Sequence, residues 1–258
     1  MDLRKQLAVK NDCYKTGTKR KSTKGIFWHS TGANNPNLKR YVQPDDGALG
    51  KNIYGNSWNR SGLAKCCHAF IGKLANGKIA TYQILPWDMR GWHAGTGTKG
   101  SANNDYIGFE ICEDAKTDKD YAMKVYQEAV ELTAYLCKMY KLNPLGKDVI
   151  IDHAEGHRLG IASNHGDVRH WLGKYGITLD KMRKDIKAEM DKADPKPTPP
   201  PPPSEGELYR LEAGASIMKE VPKELDKAGS FTIVEKQGNY GRLKSGAGWI
   251  DLRQAKKR

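Results

Sequence analysis

Three histidines in this chain are the residues best suited to chemistry. His153 and His165 lie twelve residues apart in DHAEGHRLGIASNH, and His29 sits far upstream in GIFWHSTG. Three neutral imidazoles converging from distant segments can fill three tetrahedral positions around a zinc ion and leave the fourth for water. Glu110, in the apolar run YIGFEIC, is the carboxylate that would act as base toward that water. The spacing matches none of the compact zinc words such as H-E-x-x-H, so it carries the metal reading only in part.

The surrounding words add a resemblance. GIFWHSTG, CHAFIG, RGWHAG and YIGFEIC, followed by a late pair of histidines, resemble in order the zinc-dependent N-acetylmuramoyl-L-alanine amidases of the amidase 2 family, which includes the peptidoglycan recognition proteins. The longer phrases GSANNDYIGFEICED and EGHRLGIASNHGDVRHW resemble the branch found in endolysins of phages and prophages of Gram-positive bacteria. The resemblance covers roughly residues 1–190. It implies zinc as cofactor, His29 and His153 as the first two ligands, and a third ligand that in relatives is Cys, Asp or His. His165 fits that slot, and Asp167 is the alternative. It also implies Glu110 as the catalytic base and places His68, Trp92 and His93 in the substrate groove, with Asn103, Asn104 and Asp105 beside them. The chain departs from the family at two places. Many relatives carry a Lys two residues before the third ligand and a Tyr before the His of a Tyr-His-Phe word, whereas this chain has Ser163 and Cys67. His157, read as pointing into the cleft, or Arg158 is then left to stabilise an oxyanion; His170 is read as packing beside Trp171.

Positioning these groups requires strands that end at a common edge. GIFWH, HAFIGKL, KIATYQIL, YIGFEIC and VIIDH read as strands rich in Ile, Phe and Val, with ANGK as a hairpin turn between the second and third. Residues 119–141 carry Tyr121, Val125, Ala129, Leu132, Leu136 and Met139 at helical spacing behind a Thr117 N-cap. A last helix follows Thr178, with Leu179, Met182, Ile186 and Met190 on one face. The fold expected is α/β, a mixed central sheet flanked by helices, over residues 1–194. PKPTPPPPPSE, residues 195–205, holds seven of the twelve prolines and reads as a semi-rigid polyproline II spacer. Residues 206–258, with short alternating strands and Gly-rich turns, resemble the bacterial SH3-like barrels appended to wall hydrolases.

Composition narrows the class. No stretch approaches the about 20 apolar residues of a membrane span, and the basic N-terminus lacks the apolar centre of a signal peptide. Membrane insertion is therefore not expected, and an endolysin-like chain made in the host cytoplasm would reach the wall only after release. The net charge is +13, and residues 1–24 hold eight basic and two acidic side chains. Such charge suits an anionic partner. No nucleic-acid motif is present, so peptidoglycan and anionic wall polymers are the partners expected. Five scattered cysteines do not form a disulfide framework; Cys66 and Cys67 beside His68 do not read as metal ligands, because adjacent strand residues point to opposite faces.

These observations favour a peptidoglycan hydrolase of the endolysin type. A host autolysin, or a non-catalytic peptidoglycan-binding protein on the same fold, is the rival; the latter would lack a zinc ligand. A basic nucleic-acid-binding protein would leave the histidines and Glu110 unexplained. The oligomeric state is not legible.

Overall fold

A computed structural model describes residues 1–192, 208–211, 216–218, 222–224, 229–237, 239–244 and 249–257. The proline-rich segment at 195–205 lies outside the described residues. The chain divides into two compact units, Met1–Lys192 and Ala193–Arg258.

The first unit is built on a six-stranded sheet. In chain order its elements are β1 (Leu3–Lys5), α1 (Asp12–Thr16), β2 (Gly25–Ser30), β3 (Ala69–Lys73), β4 (Ile79–Gln83), β5 (Tyr106–Ile111), α2 (Lys119–Tyr140), β6 (Ile150–Asp152), α3 (His153–Arg158), α4 (Arg169–Leu172) and α5 (Leu179–Asp191). The spatial order is β1-β4-β3-β5-β2-β6. Only the β3–β4 hairpin is antiparallel; every other pair is parallel. The sheet is therefore mixed and flanked by helices, as the apolar runs require. The ANGK turn closes the hairpin with Gly77 at φ 81°, a left-handed conformation that glycine adopts without a Cβ clash.

Strand alternation divides the side chains between two faces. Ile26, Trp28, Ile71, Ile107, Phe109 and Ile111 pack with Tyr121, Val125, Ala129, Leu132 and Leu136 of α2 and with Met182 and Ile186 of α5. Phe27 packs instead with Tyr106, Ile151 and Ala162, on the face that also carries His29. Central strands covered on both faces read as continuous apolar runs, and every residue of β2 is buried. Trp28 thus belongs to the core rather than the cleft.

The helix ends follow local capping chemistry. α2 is capped by Asp118, whose side chain accepts from the Tyr121 N–H at 2.9 Å, and not by Thr117. Thr178 caps α5 as expected, accepting from the Lys181 N–H. The short elements β1, α1, α3 and α4 are not among those expected from the sequence. β1 and α1 arise from the basic N-terminal segment, where β1 is only three residues long and carries no apolar alternation. Several of its cations are consumed internally: Arg4 pairs with Asp2, Lys19 with Asp88 and Lys24 with Asp105.

The second unit contains β7 (Leu208–Leu211), β8 (Ser216–Met218), β9 (Pro222–Glu224), β10 (Gly229–Gln237), β11 (Tyr240–Leu243), β12 (Trp249–Asp251) and β13 (Ala255–Lys257). They form an antiparallel sheet in the order β13-β7-β10-β11-β12-β8-β9. Ile233, Leu243 and Ile250 are its buried anchors. A small all-β unit with this pattern is consistent with the SH3-like expectation.

β2 cannot approach β6 without Gly25, where an added Cβ would lie 2.0 Å from the Val149 carbonyl oxygen. Gly25→Ala should destabilise the first unit by roughly 1–3 kcal/mol through overpacking. Gly173→Ala, where a Cβ meets nothing within 4 Å, should not. Urea unfolding of the two variants checks this, and equal midpoints would refute it.

Candidate metal centre

β2, β5 and β6 run parallel, so their C-terminal ends open on one edge, the usual place for a site in such a sheet. His29 on β2 is in register with Glu110 on β5, which places both side chains side by side on the same face. Asp152 ends β6, caps α3 through the Glu155 N–H, and leaves His153 as the first helical residue. His153 therefore opens a helix instead of a loop. The third contribution comes from the irregular chain between α3 and α4, which delivers Asp167.

The groups meet closely. Asp167 Oδ2 lies 3.1 Å from His29 Nδ1 and 2.9 Å from His153 Nδ1. One ligand atom from each residue falls within 4.8 Å of the others, and this is the sole such His/Cys/Asp/Glu group among the described residues. The outer ring nitrogens are also engaged. His29 Nε2 is 2.9 Å from His93 Nδ1, and His153 Nε2 is 3.2 Å from Ser163 Oγ. Each Nδ1 donates to Asp167 Oδ2 here. Holding a metal would need the other tautomer, with Nε2 donating outward to His93 and Ser163 and the Nδ1 lone pair free, the arrangement by which outer partners fix a ligand's tautomer. Burial pushes His29 down to about 4, with the Asp167 contact opposing it, so its imidazole is neutral near pH 7. For Asp167 burial works against ionisation, yet hydrogen bonds with His153 and His29 hold it well below the usual carboxylate range. Two imidazole nitrogens and one carboxylate oxygen at this separation fit a zinc ion.

Glu110 faces a cavity of about 330 Å³ shared with His153, His165 and Asp167. Its Oε2 is buried with no hydrogen-bond partner. Burial first, then repulsion from Asp167, raise this carboxyl well above its ordinary range. It is thus a desolvated acid–base group with a free oxygen beside the cluster.

The other residues singled out in the sequence distribute differently. His165 is exposed on the cavity rim; its Nδ1 lies 3.2 Å from His153 Nε2, the ring edge facing away from Asp167. Trp92 lines the cavity. His93 reaches it as well, but its ring fills the space left by Gly108 and contacts His29. His68 is corrected from groove to core. It is fully buried, with Nδ1 accepting from the Gly108 N–H and Nε2 donating to the Met89 carbonyl, which leaves no atom for substrate. His157 is also corrected. Four residues along α3 carry it about 6 Å beyond His153, into a neighbouring groove with Thr98, Gly160 and Ser163 rather than the cavity of Glu110. Asn103 is buried and accepts from the His93 and Ala94 N–H groups; Asn104 accepts from Arg90, and Asp105 from Ser22 and Lys24. These three brace the loop instead of lining the groove. All five cysteines are free and buried, and the Cys66 and Cys67 thiols donate to backbone carbonyls.

A set of pins around Asp167 escaped the sequence reading. Arg169 makes a bidentate pair with fully buried Asp152. The Val168 N–H donates to Ser30 Oγ at 2.9 Å, holding Val168 at φ 68°. Glu113, fully buried, accepts from the Gly32 N–H and lies 3.1 Å from His170 Nε2, while His170 Nδ1 lies 2.8 Å from the Gly166 carbonyl. One carboxylate thus ties together the ends of β2 and β5 and the loop that carries Asp167. Glu113 stands only three residues after Glu110 in FEICE, but nothing local in the sequence names its distant partners.

The chain belongs to the N-acetylmuramoyl-L-alanine amidase family, whose sequence profile matches residues 19–197. It is 39% identical over 72 residues to the N-acetylmuramoyl-L-alanine amidase CwlH of Bacillus subtilis strain 168, a match covering 28% of this chain and 26% of that protein. The match spans about a quarter of CwlH. Among solved structures, PlyL aligns with a TM-score of 0.50 at 21% identity, covering 72% of this chain and 97% of that one. The PlyG catalytic domain aligns with a TM-score of 0.50 at 22% identity, covering 77% and 100%. These two likenesses concern the fold.

Removing Glu113 would strand the Gly32 N–H and His170 together. Glu113→Ala should cost about 1–3 kcal/mol, as expected when hydrogen bonds to a buried carboxylate are removed. Lys116→Gln, which removes only a part-exposed cation 3.6 Å away, should cost no more than about 1 kcal/mol. Denaturant titration separates the two, and a Glu113→Ala loss as small as that of Lys116→Gln would remove the clamp.

Proposed function

We propose that this protein is a zinc-dependent amidase. It cleaves the amide between the lactyl group of N-acetylmuramic acid and the L-alanine of the peptidoglycan stem peptide. The observation that carries this reading is the convergence of two buried Nδ1 atoms and Asp167 Oδ2 next to the unpartnered oxygen of Glu110. CwlH carries the same activity in its name. A non-catalytic binder on this fold has no need of a complete ligand set beside a desolvated base.

The ligand set we propose is His29, His153 and Asp167. Asp167 takes the third place ahead of His165, because Asp167 meets both inner Nδ1 atoms and His165 meets only the outer edge of His153. His165 then stands two residues before the third ligand, the place where many relatives carry Lys. Its ring N–H, on the cavity rim, can donate to negative charge developing on the amide oxygen. Bound by these three residues, zinc supplies a Lewis acid and lowers the pKa of water toward about 7. Glu110 takes the proton from the attacking water and returns it to the departing amine of L-alanine. Burial suits it to both steps by raising its affinity for the proton. His93 and Ser163 hold the imidazoles from behind, so that neither ring rotates during the reaction.

Metal content and product analysis test this together. Asp167→Ala should lose zinc, while His165→Ala should retain it and turn over more slowly. Glu110→Gln should keep zinc and fold but lose activity by about 10²–10⁴-fold. Wild-type digestion of purified walls should release L-alanine amino termini without new reducing sugar ends. Zinc retained by Asp167→Ala and lost by His165→Ala would reverse the ligand assignment, and full turnover by Glu110→Gln would place the base elsewhere.

The second unit serves, in this reading, as a wall anchor. Residues 206–258 carry eleven basic and seven acidic side chains, a net +4, too little for charge alone to hold the chain at physiological salt. An anchor raises the effective concentration of the enzyme at an insoluble substrate without touching its site. A chain ending at residue 194 should cut soluble muropeptides normally yet fail to sediment with purified walls. Equal sedimentation of the two forms would dismiss the anchor.

A further inference from the structure

The cavity that holds Glu110 has a second wall of different chemistry, formed by Arg40, Tyr41, Trp58 and Lys65. Its aromatic part is tied to the base. Phe70 on β3 is in register with Glu110. Tyr41 stacks on Phe70 with centroids 4.9 Å apart, and Trp58 meets the same ring edge-on at 4.8 Å. The cations rest on this stack. The Arg40 guanidinium lies 5.3 Å from the Tyr41 ring centroid and donates to the Asn56 carbonyl, and the Lys65 ammonium lies 5.7 Å from the Trp58 centroid. Neither cation pairs with a carboxylate among the described residues. Several other cations of the first unit do, as Lys19, Lys24 and Arg169 show.

Two cations held on aromatic faces, open to a cavity and in no salt bridge among the described residues, make a receptor for an anion. Glu110 is the carboxylate that Lys65 acts on from a distance. The amide placed at the cluster has two arms. One leads to an uncharged amino sugar. The other is a peptide in which L-alanine is followed by D-glutamate linked through its side chain, so that an α-carboxyl stands free or amidated one residue beyond the cut.

Resting on the amidase reading above, we infer that Arg40 and Lys65 receive this α-carboxylate, and that the enzyme selects stem peptides bearing it over those in which it is amidated. A neutral amide offers no charge to the pair, whereas the carboxylate gains charge-assisted hydrogen bonds there. The wall also orients the substrate, since an acidic peptide arm drawn toward Arg40 and Lys65 leaves the sugar arm to the remaining side of the cluster.

The test uses full-length protein with two synthetic muramoyl peptides that differ only in D-isoglutamate against D-isoglutamine. Wild type should favour the acidic peptide by roughly 10–100-fold in kcat/KM, expressed mainly in KM. Arg40→Gln with Lys65→Gln should bring the ratio toward one, and Lys65→Glu should invert it. A wild-type ratio near one, or a ratio unchanged in these variants, overturns the inference. If neither peptide is cut, calorimetric binding of the same two peptides decides: tighter binding of the acidic one keeps the receptor while the amidase reading falls, and equal binding removes both. Competition by glycerol phosphate in the absence of any carboxylate preference would assign the pair to wall phosphates instead.

Discussion

The carboxylate of Asp167 between two buried imidazoles is the contact on which the rest depends. A charge drawn partly out of water is costly unless paired and hydrogen-bonded, and the Asp167 side chain keeps 21% of its exposure. Here the compensation comes from His29 and His153, which arrive on separate elements. The loop that delivers Asp167 has no regular structure to hold it, so its position is set by discrete bonds. Arg169 grips Asp152, Val168 reaches Ser30, and His170 links Gly166 to Glu113. Val168 stores strain as a β-branched residue at positive φ, of order 1–3 kcal/mol. That strain persists only because the neighbouring bonds over-determine the loop.

The parallel sheet explains why the remaining groups can meet this loop. Alternation sends Ile26 and Trp28 toward α2 and turns Phe27 and His29 to the other face. The register of β2 with β5 then fixes Glu110 beside His29 with no adjustable linkage. Gly108, on the same face of β5, leaves the space into which His93 inserts behind His29. A site on regular elements is more rigid than one on loops. His29 and Glu110 stand on strands and His153 opens α3, so only Asp167 departs from that scheme.

The sequence displayed the strands and long helices because their cores are nearly continuous or strictly periodic. His29 and His153 were visible for the same reason: each closes an apolar run at a strand end. Glu110 was visible within YIGFEIC. The choice between His165 and Asp167 was not legible, since residues 159–168 carry no periodicity from which a direction could be read. His68 misled because a short word such as CHAFIG does not show that backbone groups of Gly108 and Met89 occupy both ring nitrogens. Position along α3 removed His157 in a similar way. Glu113 and His170 lie 57 residues apart, and such a pairing exists only once the fold is formed.

Charge shows the same division between what composition reveals and what folding decides. The net +13 suggested a diffuse attraction for polyanions, concentrated at the N-terminus. Folding pairs several of those N-terminal cations internally, with Asp2, Asp88 and Asp105, and sets the half-buried Arg20 against the Trp87 carbonyl. Cations in no salt bridge among the described residues stand elsewhere, Arg40 and Lys65 on the cavity wall among them. Field at a cleft depends on where unpaired charge stands and on the low-dielectric surfaces beside it, more than on the total. Tyr41 and Trp58 provide those surfaces, and Phe70 fixes them in register with Glu110. Glu110 and the aromatic wall that carries Arg40 and Lys65 are therefore set by adjacent strands of one sheet, so any shift of β3 against β5 would disturb both at once.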